Sequence, residues 1–344
     1  MCSILTDEEE DDTFIKPGFE LVTPRNTYMV GQLLGVGGFG DVFQVSCKDK
    51  DGQTVDYALK VEKQKENRHS KLKMEIAILK ACNDCNHFTK IVDRGKRDEL
   101  GGYFFIIMEL VGKTIGDMAK KHPNGVFSFV TALGVGSQCL EGIESLHKHE
   151  YIHRDIKPAN FAIGLPPKQH IVYVLDFGIA RKFTNFKNEV KTPRQRVAFK
   201  GTLRFCALAC HQGVELGRKD DCESILYLIL SVLVVGGLPW DVENRHDVWR
   251  IKEECRREKR SELFRGIRRA KELHLFMDYI DSLAYQDQVD YDFLYKILAL
   301  SCTEVGADIN DPYEWESMED VKKRKKKTNC KKKEGKKISK KGKI

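Results

Sequence analysis

The sequence has no apolar run long enough for a membrane span and no start typical of an exported protein. Its longest predominantly apolar stretch, at residues 225–235, has eleven residues, whereas a transmembrane helix needs about 18 or more. The first residues, MCSILTDEEEDD, carry neither the basic start nor the apolar segment of a signal peptide. We therefore expect a cytoplasmic protein, with the nucleus as a further location, and interpret residues 225–235 as a helix buried on most sides.

The sequence also lacks a regular cysteine framework. Its eleven cysteines are an odd number without repeated spacing, which favours reduced thiols over the disulfide scaffold of a secreted domain. Cys82 and Cys85 have the spacing of metal ligands, but no second CxxC or HxxxH motif follows at a suitable distance. We interpret both as ordinary thiols. With 344 residues, of which 41% are apolar, the chain can bury the core of one large domain or of two lobes.

Charge is distributed unevenly along the chain. Residues 322–344 hold 14 Lys and Arg against one Glu, a net charge of +13, which leaves about −6 for the rest of the chain. An acidic run occupies residues 7–12. Both ends have the composition of disordered segments, which cannot bury enough apolar surface to offset their chain entropy. We therefore predict disorder in an acidic N-terminus (1–22) and in a lysine-rich tail (317–344).

Two interpretations of the tail remain open. It is either a solvated, solubilising extension or a segment that binds acidic proteins. A specific nucleic-acid role is disfavoured because arginines and aromatic residues do not alternate, and a lipid anchor is disfavoured because there is no CaaX motif. The stretch KKRKKK partly matches a nuclear localisation signal, which is a pattern of low specificity.

Hydrophobic periodicity predicts a mixed α+β fold. Strand-like segments separated by turns such as Asp51-Gly52 dominate the first part of the body, and one amphipathic helix with Leu72, Ile76 and Leu79 at helical spacing interrupts them. Helical spacing dominates beyond Val111. The sequence therefore predicts a small β-rich lobe at residues 23–112 and a larger, mainly helical lobe at residues 113–316.

A glycine motif opens the predicted β-rich lobe. Gly35, Gly37 and Gly40 form a GxGxxG pattern with strand-like residues on both sides. In a dinucleotide-binding unit these glycines would follow a strand and open a helix, so the pattern favours a glycine-rich hairpin over phosphate groups. Further along, Lys60 falls on a predicted strand and Glu75 on the predicted helix, and a lysine that points inward needs such an acidic partner.

The predicted helical lobe contains residues suited to phosphoryl transfer. The stretch YIHRDIKPAN contains Asp155, Lys157 and Asn160, and the stretch VLDFGIA supplies Asp176. Phosphoryl transfer from a nucleoside triphosphate requires a metal ion and a cation on the phosphates, and a residue that orients the attacking hydroxyl. Asn160 and Asp176 offer oxygen ligands to Mg2+. Lys60 would bind the phosphates, Asp155 would accept the hydroxyl proton, and Lys157 would contact the γ phosphate.

The glycine motif, the strand lysine, the HRD motif with its asparagine, and the DFG motif occur in the order found in eukaryotic protein kinases, and the chain resembles that family. The resemblance implies a bilobal fold that binds ATP and Mg2+, with the adenine between the lobes. The residues expected to contact the adenine are Val42, Ala58, Met108, Glu109 and Leu110. Met108 would be the gatekeeper. The spacing of Asp155 and Lys157 resembles that in serine/threonine rather than tyrosine kinases.

A finer resemblance is to the casein kinase 1 group, whose members also lack the APE motif after the activation segment. Within that group the chain is similar to the tau-tubulin kinases over residues 28–316, in segments such as HRDIKPANFAIG, LDFGIARKFTN and DPYEWE. One departure is Ala207-Leu208-Ala209, where that family has Ser-Ile-Asn near the substrate groove. The departure removes no catalytic group, but it leaves the substrate preference open.

The resemblance implies a monomeric serine/threonine kinase that transfers the γ-phosphoryl group of Mg-ATP to proteins. Acidic proteins and cytoskeletal proteins such as tubulin are among the expected partners. The alternative is a catalytically weak scaffold that binds acidic proteins through the basic tail. Loss of Lys60, Asp155 or Asp176 would favour that alternative, and all three are present.

A basic stretch follows the DFG motif. Its cations, which only Glu189 offsets, are Lys187, Lys191, Arg194, Arg196, Lys200 and Arg204. Some of them are expected to pair with carboxylates of the body or to face water. Because arginines present bidentate forks suited to phosphate or carboxylate, we hypothesise an anion pocket that reads a negative residue near the target Ser or Thr. The substrate-contacting residues of this hypothesis are Arg194, Arg196, Lys200 and Thr202.

Overall fold

The structure, a computed structural model, describes residues 15–37, 40–64, 70–267, 270–319 and 321–322. The chain divides into two compact units. The N-terminal unit consists of Met1–Lys80 and Thr89–Leu110, and the C-terminal unit consists of Ala81–Phe88 and Val111–Ile344. The first is built around a β-sheet and the second around helices, as the predicted α+β kinase fold requires. Within the described ranges, no helix is both long enough and apolar enough to span a bilayer.

The N-terminal unit contains a six-stranded sheet in which every neighbouring pair is antiparallel. Its strands are β1 (Glu20–Val22), β2 (Thr27–Gly37), β3 (Gly40–Lys48), β4 (Thr54–Lys63), β5 (Ile91–Arg97) and β6 (Tyr103–Glu109), and helix α1 (Lys71–Ala81) follows β4. The strand order is β1-β2-β3-β4-β6-β5. The glycine motif lies at the end of β2 and the start of β3, so the predicted glycine-rich hairpin is confirmed.

Alternation along the strands gives the sheet two different faces. One face forms a closed apolar core, which includes Phe43, Leu59 and Phe105. Residues one position away in sequence point to the opposite face, and residues directly paired across antiparallel strands share a face. Lys60, paired with Ile106, therefore lies on the face opposite this core.

The ordered structure begins earlier than the sequence predicts. Residues 1–22 were expected to be disordered, yet Ile15 is 1% exposed and Leu21, at the centre of β1, is fully buried in the core of the sheet. A strand of three residues is too short to change the average composition of a polar segment, which explains the error. The acidic run at residues 7–12 lies outside the described residues.

The C-terminal unit is mainly helical. Its helices are α2 (Ile115–Ala119), α3 (Phe129–Lys148), α4 (Leu208–Gln212), α5 (Arg218–Leu233), α6 (Arg245–Glu254), α7 (Arg260–Leu263), α8 (Lys271–Ser282) and α9 (Tyr291–Thr303). Its short strands are β7 (Tyr151–Ile152), β8 (Phe161–Ile163), β9 (Val172–Val174) and β10 (Arg181–Lys182). β8 pairs with β9 and β7 pairs with β10, both antiparallel. These two ladders position the loops that carry the HRD and DFG motifs.

Helix α5 contains most of the predicted buried helix. Every residue from 220 to 230 is buried, and α5 packs against α3 and α8. The contact with α3 is close, since a Cβ atom at Gly136 would lie 2.3 Å from the side chain of Ile229. The helix ends at Leu233, and Val235 is 59% exposed, so the last residues of the apolar run lie outside it.

The predicted disordered tail also starts too early. Val321 is 5% exposed, and helical backbone occurs at residues 318–319 and 321–322. A single buried valine anchors this short stretch although its neighbours are polar. Residues 323–344, which carry nearly all of the tail's charge, lie outside the described residues.

Candidate active site

The N-terminal unit contains the predicted lysine–glutamate pair. Lys60 Nζ lies 2.6 Å from Glu75 Oε2, and the two side chains are only 7% and 5% exposed. A buried charge is costly unless an opposite charge and hydrogen bonds compensate it. The pair therefore fixes the ammonium group of β4 relative to helix α1, in the way that the phosphate-binding role predicted for Lys60 requires.

The first turn of α1 is held by Glu62, a residue that sequence reasoning missed. Its carboxylate accepts hydrogen bonds from the backbone N–H groups of Lys71 (3.0 Å) and Leu72 (2.9 Å) and from the hydroxyl of Ser70 (2.6 Å). The first N–H groups of a helix have no partner within the helix, and a negative charge there also complements the helix dipole. Glu62 thus ties α1, and with it Glu75, to the strand that carries Lys60.

Three of the predicted adenine contacts, Val42, Ala58 and Met108, lie on the face of the sheet that carries Lys60. Val42 pairs with Lys60, and Ala58 pairs with Met108, so the four side chains point to the same side. Ala58 and Met108 are buried, and Val42 is partly buried. At the end of β6, the carboxylate of Glu109 accepts the backbone N–H of Lys90 at 3.0 Å.

The remaining predicted nucleotide contacts lie in the hairpin and after β6. Leu110 follows β6 and is partly buried. In the hairpin, Gly37 and Gly40 are paired across the strands, and Gly35 pairs with Val42. Gly40 has φ +123°, and a Cβ atom there would lie 2.1 Å from the carbonyl oxygen of Val61. Only glycine fits a backbone that approaches its neighbour so closely.

The HRD loop of the C-terminal unit is positioned by Asp221 of α5. Its carboxylate accepts the backbone N–H groups of His153 (2.7 Å) and Arg154 (2.9 Å) and a hydrogen bond from the ring of His147 (2.8 Å). Burial alone would raise the pKa of Asp221, but these hydrogen bonds outweigh it and hold the pKa below its ordinary value. An ionised carboxylate inside the core thus fixes the loop that leads to Asp155.

Asp155 lies at the centre of the predicted catalytic group. It is 7% exposed. Lys157 Nζ lies 2.9 Å from its Oδ2, and Asn160 Nδ2 donates to its carbonyl oxygen (2.7 Å) and to its Oδ2 (3.1 Å). The hydroxyl of Thr202 donates to Oδ1 at 2.7 Å and accepts from Lys157 at 3.0 Å. The structure therefore brings together four residues that the sequence places up to 47 positions apart.

The second predicted metal ligand, Asp176, is the first residue of the DFG motif and lies two positions after the end of β9. It adopts a left-handed backbone conformation with φ +60°, and its Oδ1 accepts the N–H of Gly178 at 3.2 Å. The backbone N–H of Leu175 donates to the carbonyl of Asn160 at 2.8 Å. This bond ties the DFG segment to the asparagine, so the two predicted ligands come from adjoining backbone segments.

The predicted anion pocket is not assembled as expected. The guanidinium group of Arg194 forms a bidentate pair with Glu215, with Nη2 to Oε1 at 2.9 Å. Glu215 has a side chain only 2% exposed, and it also lies 3.7 Å from Arg181. The hydrogen bond from Arg194 lowers the pKa of Glu215 below its ordinary value. Arg194 therefore anchors the segment after the DFG motif to Glu215. It is one of the cations that were expected to pair with carboxylates of the body.

Four of the other five cations of the basic stretch fall into two sets. Arg204 pairs with Asp241, and Lys191 Nζ donates to the carbonyl of Lys182 at 2.7 Å. Arg196 and Lys200 are exposed, and no ion pair with another described residue holds either side chain. Of the three predicted pocket cations, these two remain open to a substrate.

Comparison with known proteins decides the family. A model of the protein kinase domain matches residues 28–299 of the chain. This chain belongs to the protein kinase family. A protein kinase domain uses ATP and a divalent metal ion, which agrees with the groups described above.

Several relatives of this kinase are serine/threonine-protein kinases by name. A probable serine/threonine-protein kinase of Dictyostelium discoideum is 31% identical over 294 residues, which are 85% of this chain but only 57% of that protein. The serine/threonine-protein kinase spe-6 of Caenorhabditis elegans is 33% identical over 289 residues, 82% of this chain and 74% of that protein. A putative casein kinase I of the same organism is 30% identical over 299 residues, 85% of this chain and 84% of that protein. The kinase is thus of the serine/threonine class.

The donor set of the kinase fits a divalent cation. The amide nitrogen of Asn160 is used by Asp155, which directs the amide oxygen of Asn160 elsewhere. Asp176 adds carboxylate oxygens. Amide and carboxylate oxygens are the ligands that hard cations prefer, so these two residues suit the metal ion that the family uses.

The charge state of Asp155 follows from its neighbours. Burial alone would raise the pKa of this carboxyl, but the hydrogen bonds from Thr202 and Lys157 outweigh burial and hold the pKa below its ordinary value. Asp155 is therefore ionised at neutral pH and able to accept a hydrogen bond from a hydroxyl group.

We predict that Glu62→Ala lowers both stability and activity of the kinase. Losing a helix cap costs about 1 kcal/mol, and a loosened α1 holds Glu75 less firmly against Lys60. Thermal unfolding and steady-state kinetics with varied ATP should show a lower midpoint and a lower kcat/KM for ATP. Asp56→Ala, which removes an exposed carboxylate on the same strand, is the matched control. Equal kinetics in both variants would contradict the role assigned to Glu62.

We predict that Thr202→Val moves the acidic limb of the kcat–pH profile to higher pH. The variant keeps the side-chain shape but removes the hydrogen bond to Oδ1, so the pKa of Asp155 rises and its ionised form is lost at a higher pH. A charge-assisted hydrogen bond of about 1.5 kcal/mol corresponds to about one pH unit. Thr303→Val, in α9, is the control. An unshifted limb would show that Thr202 does not set this pKa.

Proposed function

We propose that this kinase transfers the γ-phosphoryl group of Mg-ATP to Ser and Thr side chains of proteins, with Asp155 as the residue that orients the attacking hydroxyl and accepts its proton. The observation that carries this proposal is the buried Asp155 carboxylate, kept ionised by Thr202 and Lys157. A residue in this role must be within hydrogen-bond reach of the hydroxyl and must be unprotonated at the working pH.

The other residues have separate roles in this proposal. Lys60, fixed by Glu75, would bind the nonreacting phosphates, and Lys157 would contact the γ phosphate as charge develops on it. Asn160 and Asp176 would hold Mg2+, which when bound neutralises charge on the phosphate oxygens. Val42, Ala58 and Met108 offer the apolar surface for the adenine.

We further propose that the kinase belongs to the casein kinase 1 group and is similar to the tau-tubulin kinases. The sequence resemblance, the missing APE motif and the putative casein kinase I relative support this assignment. The departure at residues 207–209 has a structural consequence. Ala207 occupies the N-cap of α4, where a serine side chain would cap the helix. The carboxylate of Glu223 instead accepts the N–H of Leu208 at 2.8 Å, so α4 is stabilised without the serine.

Acidic or phosphorylated residues near the target site are the substrate feature that we propose. The support is the pair of exposed cations Arg196 and Lys200, close in sequence to Thr202, which contacts Asp155. The +13 charge of the lysine-rich tail would add a longer-range attraction to acidic surfaces such as those of cytoskeletal proteins, screened over about 8 Å at physiological salt. We also propose that the kinase is a monomer and that it is located in the cytoplasm and also in the nucleus.

We predict that Asp155→Ala lowers kcat by orders of magnitude while ATP still binds, because the lost group acts mainly in the transition state. The measurements are phosphate transfer to a Ser/Thr peptide library and calorimetric binding of ATP with Mg2+. Asp292→Ala, an exposed change in α9, serves as control. If wild type and Asp155→Ala are equally inactive but a basic-tail partner still binds, the scaffold alternative replaces the kinase proposal.

We also predict different effects within the basic stretch. Replacing both Arg196 and Lys200 by Ala should raise KM for acidic or phosphorylated peptides and spare neutral ones, since each lost charge-assisted contact costs about 1.5–3 kcal/mol. Replacing Arg194 alone should lower activity on acidic and neutral peptides alike, because it leaves the buried Glu215 without its bidentate partner. A uniform loss in the double variant would overturn the proposed substrate contact.

A further inference from the structure

Lys252 of helix α6 is fully buried, and the proposed phosphoryl transfer does not use it. Its Nζ donates hydrogen bonds to the carbonyl oxygens of Leu203 at 3.1 Å and of Cys206 at 2.6 Å. The ring of His211 lies 3.3 Å from the same nitrogen. A charged group is costly inside a protein unless it is hydrogen-bonded, so the two carbonyls stabilise the buried lysine.

Two aromatic rings complete the surroundings of the Lys252 amino group. Nζ lies over the Tyr227 ring, 5.1 Å from its centroid, and over the Trp240 ring, 5.2 Å from its centroid. Ring faces attract a cation at such distances. The buried carboxylate of Glu223 in α5 is paired with Arg256. The carbonyls and the rings therefore compensate the charge of Lys252.

Lys252 and Trp240 hold the same turn of backbone, residues 202–206. Lys252 binds two carbonyls of this turn, and the Nε1–H of Trp240 donates to a third, that of Arg204, at 2.8 Å. Within the turn, two backbone N–H groups donate to the carbonyl of Thr202, both at 3.0 Å. Side chains outside the turn thus fix the backbone that directly follows Thr202.

The beginning of the same turn contacts the catalytic loop. The hydroxyl of Thr202 donates to Asp155 Oδ1 at 2.7 Å and accepts from Lys157 at 3.0 Å. Directly before it, a Cβ atom at Gly201 would lie 2.5 Å from the carbonyl oxygen of Arg154, which shows how closely the two backbones approach. The turn therefore connects the buried amino group of α6 with the catalytic carboxylate.

The amino group of Lys252 contributes something that an apolar side chain would not. Replacing a buried ion by an apolar group of similar shape is often neutral for stability, because the cost of desolvating the ion is also removed. The carbonyls of Leu203 and Cys206 would, however, lose their amino donor, and the turn would no longer be held against α6. The specific contribution of the amino group is therefore the position of the turn.

We propose that Lys252 is a positioning residue for the kinase reaction, which holds the 202–206 turn against α6 and so keeps the hydroxyl of Thr202 on Asp155. The effect on catalysis rests on the function proposed above for Asp155, whereas the anchoring of the turn does not.

The first test is Lys252→Met in the full-length kinase, with Lys296→Met, which replaces an exposed lysine of α9, as the matched control. Methionine keeps the apolar stem but removes the donor. With sites counted by calorimetric titration with ATP, we expect kcat per site to fall about tenfold, the effect of one charge-assisted hydrogen bond. The KM for ATP should stay unchanged, because the lost interaction acts in the transition state. An unchanged kcat would overturn the proposal.

A double-mutant cycle tests whether Lys252 acts through Thr202. Effects of residues in one network are not additive, so Lys252→Met should cost little further activity in a Thr202→Val kinase. Losses that multiply in the double variant would overturn the proposed route. Trp240→Phe, which keeps a ring but removes the donor to Arg204, covers the case in which Lys252→Met does not fold. It should lower kcat less, and only when Thr202 is present; equal losses in both backgrounds would contradict the proposal.

Amide hydrogen exchange gives a readout that does not depend on activity. Peptides that cover residues 202–206 should exchange faster in Lys252→Met than in wild type or Lys296→Met, because an anchored turn opens less often. Equal exchange in all three proteins would overturn the anchoring. An Asp155→Ala kinase as active as wild type would instead overturn the proposed function, while the exchange experiment would still decide whether Lys252 holds the turn.

Discussion

The buried carboxylate of Asp221 is the interaction on which the catalytic region depends. It is buried in α5, so it is stable there only because backbone N–H groups and an imidazole ring surround it with donors. The two N–H donors, of His153 and Arg154, belong to the loop that leads to Asp155. The need to satisfy one buried charge therefore fixes the backbone of the loop, and a fixed backbone lets Lys157 and Asn160 reach the same carboxylate.

The N-terminal unit uses the same principle with a different set of groups. Lys60 and Glu75 compensate each other in the interior, and the pairing is possible because Glu62 satisfies the start of the helix that carries Glu75. Strand β4 therefore supplies both Lys60 and Glu62, and Glu62 positions Glu75, the partner of Lys60. Phosphate binding depends on the position of the Lys60 ammonium group, and this short connection between Lys60 and Glu62 helps to fix that position.

The segment after the DFG motif is held at three points that differ in chemistry. Arg194 is fixed by Glu215, the hydroxyl of Thr202 is fixed by Asp155, and the thiols of Cys206 and Cys210 bind backbone carbonyls. The first is an ion pair, the second a charge-assisted hydrogen bond and the third a pair of weak donors. The thiol hydrogen bonds are the weakest of these.

Local sequence patterns predicted most of the fold and the catalytic chemistry. Alternation of apolar and polar residues identified the strands, and apolar residues at helical spacing identified the helices. The order of the glycine, HRD and DFG motifs indicated the kinase family, which the domain match confirms. These signals are readable because strand and helix periods are imposed by the backbone itself. The errors fell at the two ends of the ordered chain, where Ile15, Leu21 and Val321 are buried next to strongly polar segments.

The sequence by itself determined which reactive groups the chain carries and in what order. Tertiary structure alone decided which of them meet: Glu62 with the start of α1, Glu215 with Arg194, and Lys252 with the thiol of Cys206. The last two pairs join residues 21 and 46 positions apart, and no periodic pattern links them. A charge in isolation is equally compatible with water or with burial, and only the packed fold, by removing water from around it, fixes which opposite charge or donor must lie beside it.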